Sequence, residues 1–530
     1  MNPKYIFITG GVVSSLGKGL TAASLGRLLK DRGLKVVLQK FDPYLNIDPG
    51  SMSPLQHGEV FITDDGAETD LDVGHYERFT DINLDKTSDV TTGIVYKQIF
   101  QNQDEGVYEG STVQVIPHVT NEIKDRVKKV GTVRDVDVII TEIGGTVGDI
   151  EGLPFIEAIR QFKFDVGRDN VLYIHVTLVP YLSQSGELKT KPTQHSVKDL
   201  RSFGIQPDII ILRTEHHIAK ETIDKIALFC DMETKEVIEN LDVKNLYELP
   251  RELEKQGLSE LVLDKLKLKK QPMNSKEWDS LLDKVSKIDK EIKIAIIAKY
   301  VDLIDSYLSL FEALKHSGIE YGTDIDFKIL DAEKINTENY KQTLEGYDGI
   351  LIPAGFGDRG LEGMLLSSQY ARENKIPFIG ISMGMHAGII DVMRNAGLDV
   401  LPDNSIENAE NDIIYAAREG RMKEDRRLGL FPARIKEDTL MSKIYGEELI
   451  YERHRNRYEV NRAFEERMEK ANLKVSSMTP DEKYIQSVEI EDHPFYLGIQ
   501  FQPEFRSRPT KPHPIFNYFV KMILKEKELE

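Results

Sequence analysis

Ile6-Phe7-Ile8-Thr9-Gly10-Gly11-Val12-Val13-Ser14-Ser15-Leu16-Gly17-Lys18-Gly19 decides the fold of the first half of this chain. An apolar run enters a glycine-rich turn, which opens into a helix-like stretch at residues 20–32. Glycines let the backbone curl so that its N–H groups face a phosphate, and a helix N-terminus adds partial positive charge. Lys18 is set to reach the outer phosphates. The loop departs from the standard spacing, because five residues rather than four separate Gly11 from Gly17. Gly19 also stands where a Ser or Thr hydroxyl usually meets Mg2+. The metal must then find carboxylates elsewhere. Glu142 ends the apolar run 137–142, at the strand edge where α/β proteins bind ligands. Asp72 lies in the acidic run Glu68-Thr69-Asp70-Leu71-Asp72, and such hard oxygens suit Mg2+ on nucleotide phosphates. Asp70 reads as a solvated surface acid.

Outward from this loop, strand-like runs at 5–9, 35–40, 137–142, 172–179 and 208–212 alternate with helical stretches such as 151–162. That alternation predicts a parallel sheet covered on both faces. Residues 266–291 turn polar and Lys-rich, with a helix expected at 275–287. A second α/β alternation starts at 292–298 and continues at 327–330, 349–353 and 378–381. Residues 400–445 read as irregular and polar. The 530 residues exceed what one compact core holds, so two or three domains are expected.

The net charge of -19 argues against nucleic acid or an anionic membrane as the main partner. Anionic ligands then need local clusters. One follows the strand at 172–179: Lys189, Thr190, Lys191, Pro192, Thr193 and Gln194 suggest a triphosphate cradle. Asp149, Ile150 and Glu151 lie just past Glu142, with acids that suit sugar hydroxyls or a base edge. The first half is therefore read as binding at least one nucleoside triphosphate with metal. The one cysteine, Cys230, rules out an intrachain disulfide framework and a multi-cysteine metal site. No apolar run approaches the roughly 20 residues that span a bilayer, and no signal-peptide pattern opens the chain, so a cytoplasmic protein is expected.

Together these segments resemble the CTP synthase family over essentially the whole chain. Besides the phosphate loop, the runs Asp42-Pro43-Tyr44, Gln56-His57-Gly58-Glu59-Val60, Gly66 to Asp72, Glu142 to Glu151, Lys189 to His195 and Lys225 to Cys230 carry the likeness. The resemblance implies a phosphate-loop amidoligase domain at 1–266, a linker at 267–291 and a class I glutamine amidotransferase domain at 292–530. It implies ATP-driven phosphorylation of the O4 of UTP, attack of ammonia at C4, and loss of phosphate. By motif matching, Ser15, Leu16, Gly17, Lys18, Gly19 and Leu20 would hold ATP, with Lys18 on the transferring phosphoryl and Lys40 supporting the phosphates. Asp72 and Glu142 would hold Mg2+, and Asp242 and Val243 match the segment near the adenine. Ser14, Asp149, Ile150, Glu151, Lys189 to Gln194 and Lys225 would hold UTP, or CTP as feedback inhibitor. The family forms homotetramers.

The second half departs from that family in its chemistry. The family's elbow cysteine is replaced by Ser382 in Gly380-Ile381-Ser382-Met383-Gly384-Met385-His386, and His386 stands where glutamine is expected. Gln502 occupies the position of the base histidine, while Glu504 remains. Ala354 replaces a glycine beside the oxyanion hole, and Arg457 matches the glutamine-binding arginine. A serine hydroxyl needs a general base, and a glutamine amide cannot serve as one. His386, one helical turn after Ser382, is the remaining candidate base. The loop on which the family's activator GTP acts is shortened around residues 423–429. The expectation is a synthase fed by free ammonia. The rivals are glutamine use through unrecognised residues and a nucleotide-binding regulatory paralogue.

Overall fold

The computed structural model describes residues 3–14, 16–184, 186–357, 359–398, 415–417 and 427–528. The chain forms two compact units, one of residues 1–51 and 69–282, the other of residues 52–68 and 283–530.

In the first unit seven strands form one sheet: β1 (Lys4–Gly10), β2 (Val36–Asp42), β3 (Asp89–Thr91), β4 (Val138–Ile143), β5 (Val171–Leu178), β6 (Ile209–Thr214) and β7 (Val237–Leu241). Their order is β7-β6-β5-β1-β4-β2-β3, and every neighbouring pair is parallel. β1, β2 and β4 are almost wholly buried, which explains the run of Ile, Val, Leu or aromatic residues in each; β2 and β4 turn polar only toward the carboxyl end, at Gln39, Lys40 and Asp42 of β2 and Thr141 and Glu142 of β4. Parallel strands end on one edge, and that edge collects the functional residues. The phosphate loop leaves β1 and enters helix α1 (Lys18–Asp31), whose N-cap Gly17 has φ 85°. Helix α2 (Leu71–Thr80) brings Asp72 to the same edge, and helix α3 (Lys191–Ser202) follows β5.

The second unit carries an eleven-stranded mixed sheet among the described residues. Its parallel part runs Thr323–Asp331, Lys290–Ala298, Gly349–Ile352, Phe378–Ile381, Tyr496–Ile499. An antiparallel part continues through Tyr484–Glu489, Lys474–Met478, Arg427–Ile435 and Leu449–Asn456. Two apolar clusters flank this sheet, one around Met385, Ile389 and Met393, the other around Leu310, Phe516 and Ile523. Residues 52–68 belong to this unit through Glu59, which accepts from Ser309 N at 3.1 Å, and Asp64, which accepts from Arg453 Nε at 2.7 Å. The expectation of irregular structure at 400–445 is corrected where the residues are described: 400–414 and 418–426 lie outside the described residues, and Tyr415–Ala417 is a strand. Arg427–Ile435 is a strand and Leu440–Tyr445 a helix with a Thr439–Ser442 capping box. Gly429 and Pro432 interrupt the strand's own sequence, and its pairing with Leu449–Asn456, a long-range contact, overrides them. No helix among the described residues is long and apolar enough to cross a membrane.

Candidate active site

Register places the catalytic candidates before any side chain is considered. Lys40 on β2 pairs with Glu142 on β4 and with Asp89 on β3. The Lys40 ammonium donates to Asp72 Oδ2 and, at 3.2 Å, to Glu142 Oε1. Asp70 Oδ1 at 3.7 Å and Asp42 Oδ1 at 3.8 Å complete the surround. Burial works against the charge on Lys40, but Asp42, Asp70, Asp72 and Glu142 outweigh it and hold its pKa well above the lysine range. Tyr76 on α2 donates its hydroxyl to Glu142 Oε2. Asp70 is therefore not a solvated acid. It is buried, caps α2 by accepting from Asp72 N at 2.9 Å, and faces Lys40. Isolated in sequence it looked like surface; α2 turns it inward because the cap and the ammonium both satisfy it. Asp89 is held up to about 7 by burial and by the charge of Asp70.

Lys18 Nζ donates to Gly145 O at 2.7 Å. The absent hydroxyl at position 19 now has a steric cause: a Cβ on Gly19 would lie 1.9 Å from Asp72 Oδ1. The carboxylate takes the place that a Ser or Thr side chain would fill. Asp72 and Glu142, converging on one cation, are a hard-oxygen pair of the kind that suits Mg2+ shared with phosphates. Among the described residues no group of three or more His, Cys, Asp or Glu is arranged to hold a metal, so phosphate and water oxygens would complete the shell.

Of the remaining residues, Leu16 and Gly19 are buried in the loop and Ser14 is exposed, while Ser15 lies outside the described residues. Asp149 accepts from Thr146 N at 3.2 Å, and Ile150 is 80% exposed beside Glu151. Lys189 pairs with Glu187, Gln194 Nε2 donates to Thr190 Oγ1 at 3.1 Å, and Lys191 and Pro192 open α3. Lys225 is exposed on the helix Lys220–Cys230. Asp242, followed by Val243, accepts from Arg213 Nε at 3.2 Å, and Arg213 reaches within 2.8 Å of the Cβ position at Gly17. Sequence reasoning gave no role to Asp42, Tyr76, Asp89 or Arg213. The Asp42-Pro43-Tyr44 run was the one signal for Asp42; the others required the register.

In the second unit, Ser382 sits between the strand Phe378–Ile381 and helix α4 (Met383–Asn395) with φ 51° and ψ -102°. This strained turn is the geometry of a nucleophile elbow. Its glycines are obligatory: a Cβ on Gly380 would meet Gly384 C at 2.5 Å, and one on Gly384 would meet Ile352 O at 2.2 Å. Among the described residues no hydrogen-bond partner meets Ser382 Oγ. Gln500 Nε2 donates to Tyr458 O, which leaves Gln500 Oε1 to face His386 Nε2 at 2.9 Å. His386 thus donates from Nε2, and burial pushes its pKa down to about 4, a weak base at neutral pH.

Gln502 is held as an amide. Its Oε1 accepts from Arg455 N at 2.7 Å and its Nε2 donates to Asn456 Oδ1 at 3.0 Å. Glu504 Oε2 has no hydrogen-bond partner among the described residues, and burial raises its carboxyl to about 8. Ala354 packs against an apolar cluster, and Lys299 Nζ holds the carbonyls of Phe356 and Gly357 in the neighbouring loop. The Arg455 and Arg457 guanidinium groups lie 5.2 and 4.6 Å from the Phe356 ring centre. In the shortened loop, residues 423–426 lie outside the described residues.

A phosphate-loop α/β unit with a Lys–carboxylate centre, on one chain with an amidotransferase-type elbow, defines a nucleotide-dependent ligase linked to an amidotransferase. The family described as "CTP synthase N-terminus" matches residues 4–268, and "Glutamine amidotransferase class-I" matches residues 302–522. A CTP synthase of Bacillus anthracis is 54% identical over 531 residues, covering 99% of both chains. One from Bacillus pumilus SAFR-032 is 54% identical over 535 residues, again covering 99% of each. The glutaminase domain of the Trypanosoma brucei enzyme with bound acivicin is similar at 33% identity and TM-score 0.41, covering 44% of this chain and 94% of that one. The chain belongs to the CTP synthase family.

Proposed function

We propose that this chain aminates UTP to CTP with ATP and free ammonia. The observation that carries the reading is the convergence of Lys40, Asp72 and Glu142 beside the phosphate loop. Residues 15–20 bind ATP, with Asp242 and Val243 toward the adenine. Lys18 stabilises the phosphoryl group as it passes from ATP to O4 of UTP, and Lys40 keeps the phosphates neutralised. Asp72 and Glu142 would hold Mg2+, which when bound spreads the negative charge of the phosphates. Ser14, Asp149 to Glu151, Lys189 to Gln194 and Lys225 bind UTP, and CTP as inhibitor at overlapping positions. Ammonia then attacks C4, O4 departs as phosphate, and the nitrogen gives its surplus protons to solvent. Positioning and electrostatics carry most of the rate.

Ammonia is taken from solution because the elbow offers no activated nucleophile. Ser382 has no base, Gln502 is an amide locked to its neighbours, and His386 donates toward Gln500. The working form is a cytoplasmic homotetramer, as in the family. Purified protein with ATP, UTP and Mg2+ should form CTP with ammonium. Absence of product at saturating ammonium in folded tetramer sinks the reading.

A further inference from the structure

The strand that precedes the phosphate loop and the helix that carries the lysine segment meet at one buried histidine. Thr9 on β1 lies opposite His175 on β5 in the sheet register. Thr9 Oγ1 is 2.8 Å from His175 Nδ1, and Ser196 Oγ of α3 is 2.8 Å from His175 Nε2. All three residues are buried. One strand position pair further on, Thr177 Oγ1 meets Thr193 Oγ1 of α3 at 3.1 Å. Alternate residues of β5 thus hold positions 193 and 196 of α3, which lie on one helix face.

The phosphate loop touches the same point. Gly11 N donates to Val176 O at 3.1 Å, and a Cβ on Gly11 would lie 1.5 Å from Ser196 Oγ and 3.2 Å from His175 Nε2. Ser196 therefore packs directly on the loop backbone while its helix begins with Lys191, Pro192, Thr193 and Gln194. Burial and the nearby Lys18 charge push His175 down to about 3, so the imidazole is neutral: one nitrogen donates and the other accepts. A closed chain of this kind resists displacement of either end, because a shift of α3 or of the loop leaves a buried polar atom unpaired.

We propose that His175 and Ser196 are a positioning pair that couples the phosphate-loop nucleotide site to the site at the start of α3, so that filling one pre-orders the other. This rests on the ATP and UTP assignments above. Neither residue touches a nucleotide; each acts through Gly11 and through α3.

The test is calorimetric binding of the non-hydrolysable β,γ-imido analogue of ATP to the intact protein, with and without saturating UTP. The wild-type protein should bind the analogue roughly fivefold or more tightly with UTP present, the lower end of ordinary coupling. Ser196→Ala and His175→Leu should lose most of that factor while changing analogue binding alone less than about twofold. His175→Gln, whose amide can reach Ser196, should retain more of it than His175→Leu. Thermal melts establish that each variant is folded, and either Ser196→Ala or His175→Leu suffices if the other does not fold. Unchanged coupling in the folded variants overturns the proposal. So does an equal loss of affinity with and without UTP, which marks a merely structural role. A wild-type protein that binds both nucleotides independently overturns this inference alone, whereas one that binds neither removes the functional reading as well.

Discussion

Restoring the two missing names at the elbow should not restore glutamine hydrolysis. The perturbation is Ser382→Cys with Gln502→His. Gln502 makes two buried side-chain hydrogen bonds, from Arg455 N and to Asn456 Oδ1, and an imidazole in its place must forgo or rebuild them. Each costs about 1 kcal/mol to lose. Glu504 must be ionised to orient an imidazolium, yet its pKa is raised to about 8 by burial. Holding it ionised at pH 7 costs about 1.4 kcal/mol, one pKa unit, before any gain from a new partner. Ala354 packs into the apolar cluster beside the loop that should carry oxyanion donors, and one such donor contributes about 3 kcal/mol. The double variant should therefore release glutamate from glutamine at least about tenfold more slowly than a quadruple variant that adds Ala354→Gly and His386→Gln. The assay is glutamate formed against a no-protein control. Equal rates in the two variants would refute the reasoning and confine the loss to the nucleophile and base.

Three further outcomes are expected. Lys18→Ala should abolish ammonium-dependent CTP formation with the fold retained, a loss of several kcal/mol of transition-state stabilisation; near-normal turnover removes the phosphate-loop assignment. Glu504 has a folded pKa of about 8 against an ordinary 4.5, so the native state keeps a proton that the unfolded chain releases. Its contribution is full below about pH 4.5 and is lost as pH rises through about 8, so Glu504→Gln should raise Tm at pH 8 and leave it nearly unchanged at pH 5. Gly11→Ala should destroy analogue binding, because the added Cβ would fall 1.5 Å from Ser196 Oγ, and Ser196→Gly should partly rescue it; absence of rescue places the clash elsewhere.

The first unit was legible because its signals are local. An apolar strand, a glycine turn and Lys18 adjoin in sequence, and β1, β2 and β4 are buried on both faces, so each carries an apolar run that marks it as a strand. Glu142 was singled out from its place at a strand end, and the register sets it opposite Lys40. Asp70 was misread because nothing local distinguishes a solvated acid from one turned toward a lysine 30 residues earlier. Asp89 and Tyr76 join the same centre only through sheet register and the face of α2, which no short window contains. In the second unit the replacements at Ser382 and Gln502 were visible by name. That Gln502 is an integral amide of its surroundings, and that His386 points its N–H at Gln500, depend on partners more than 40 residues away. The strand Arg427–Ile435 is apolar at Leu428, Leu430, Phe431, Ala433 and Ile435, but Gly429 and Pro432 inside it and the polar residues before it read as a loop, and the pairing with Leu449–Asn456 that orders it is not local.

The central claim is that the ligase half works while the glutamine half does not. It is tested most directly by measuring CTP formed from UTP, ATP and Mg2+ in two parallel reactions, one with ammonium and one with glutamine, each with and without GTP. The account predicts CTP with ammonium, none above background with glutamine, and no stimulation by GTP. CTP formed from glutamine, accompanied by stoichiometric glutamate, would contradict it.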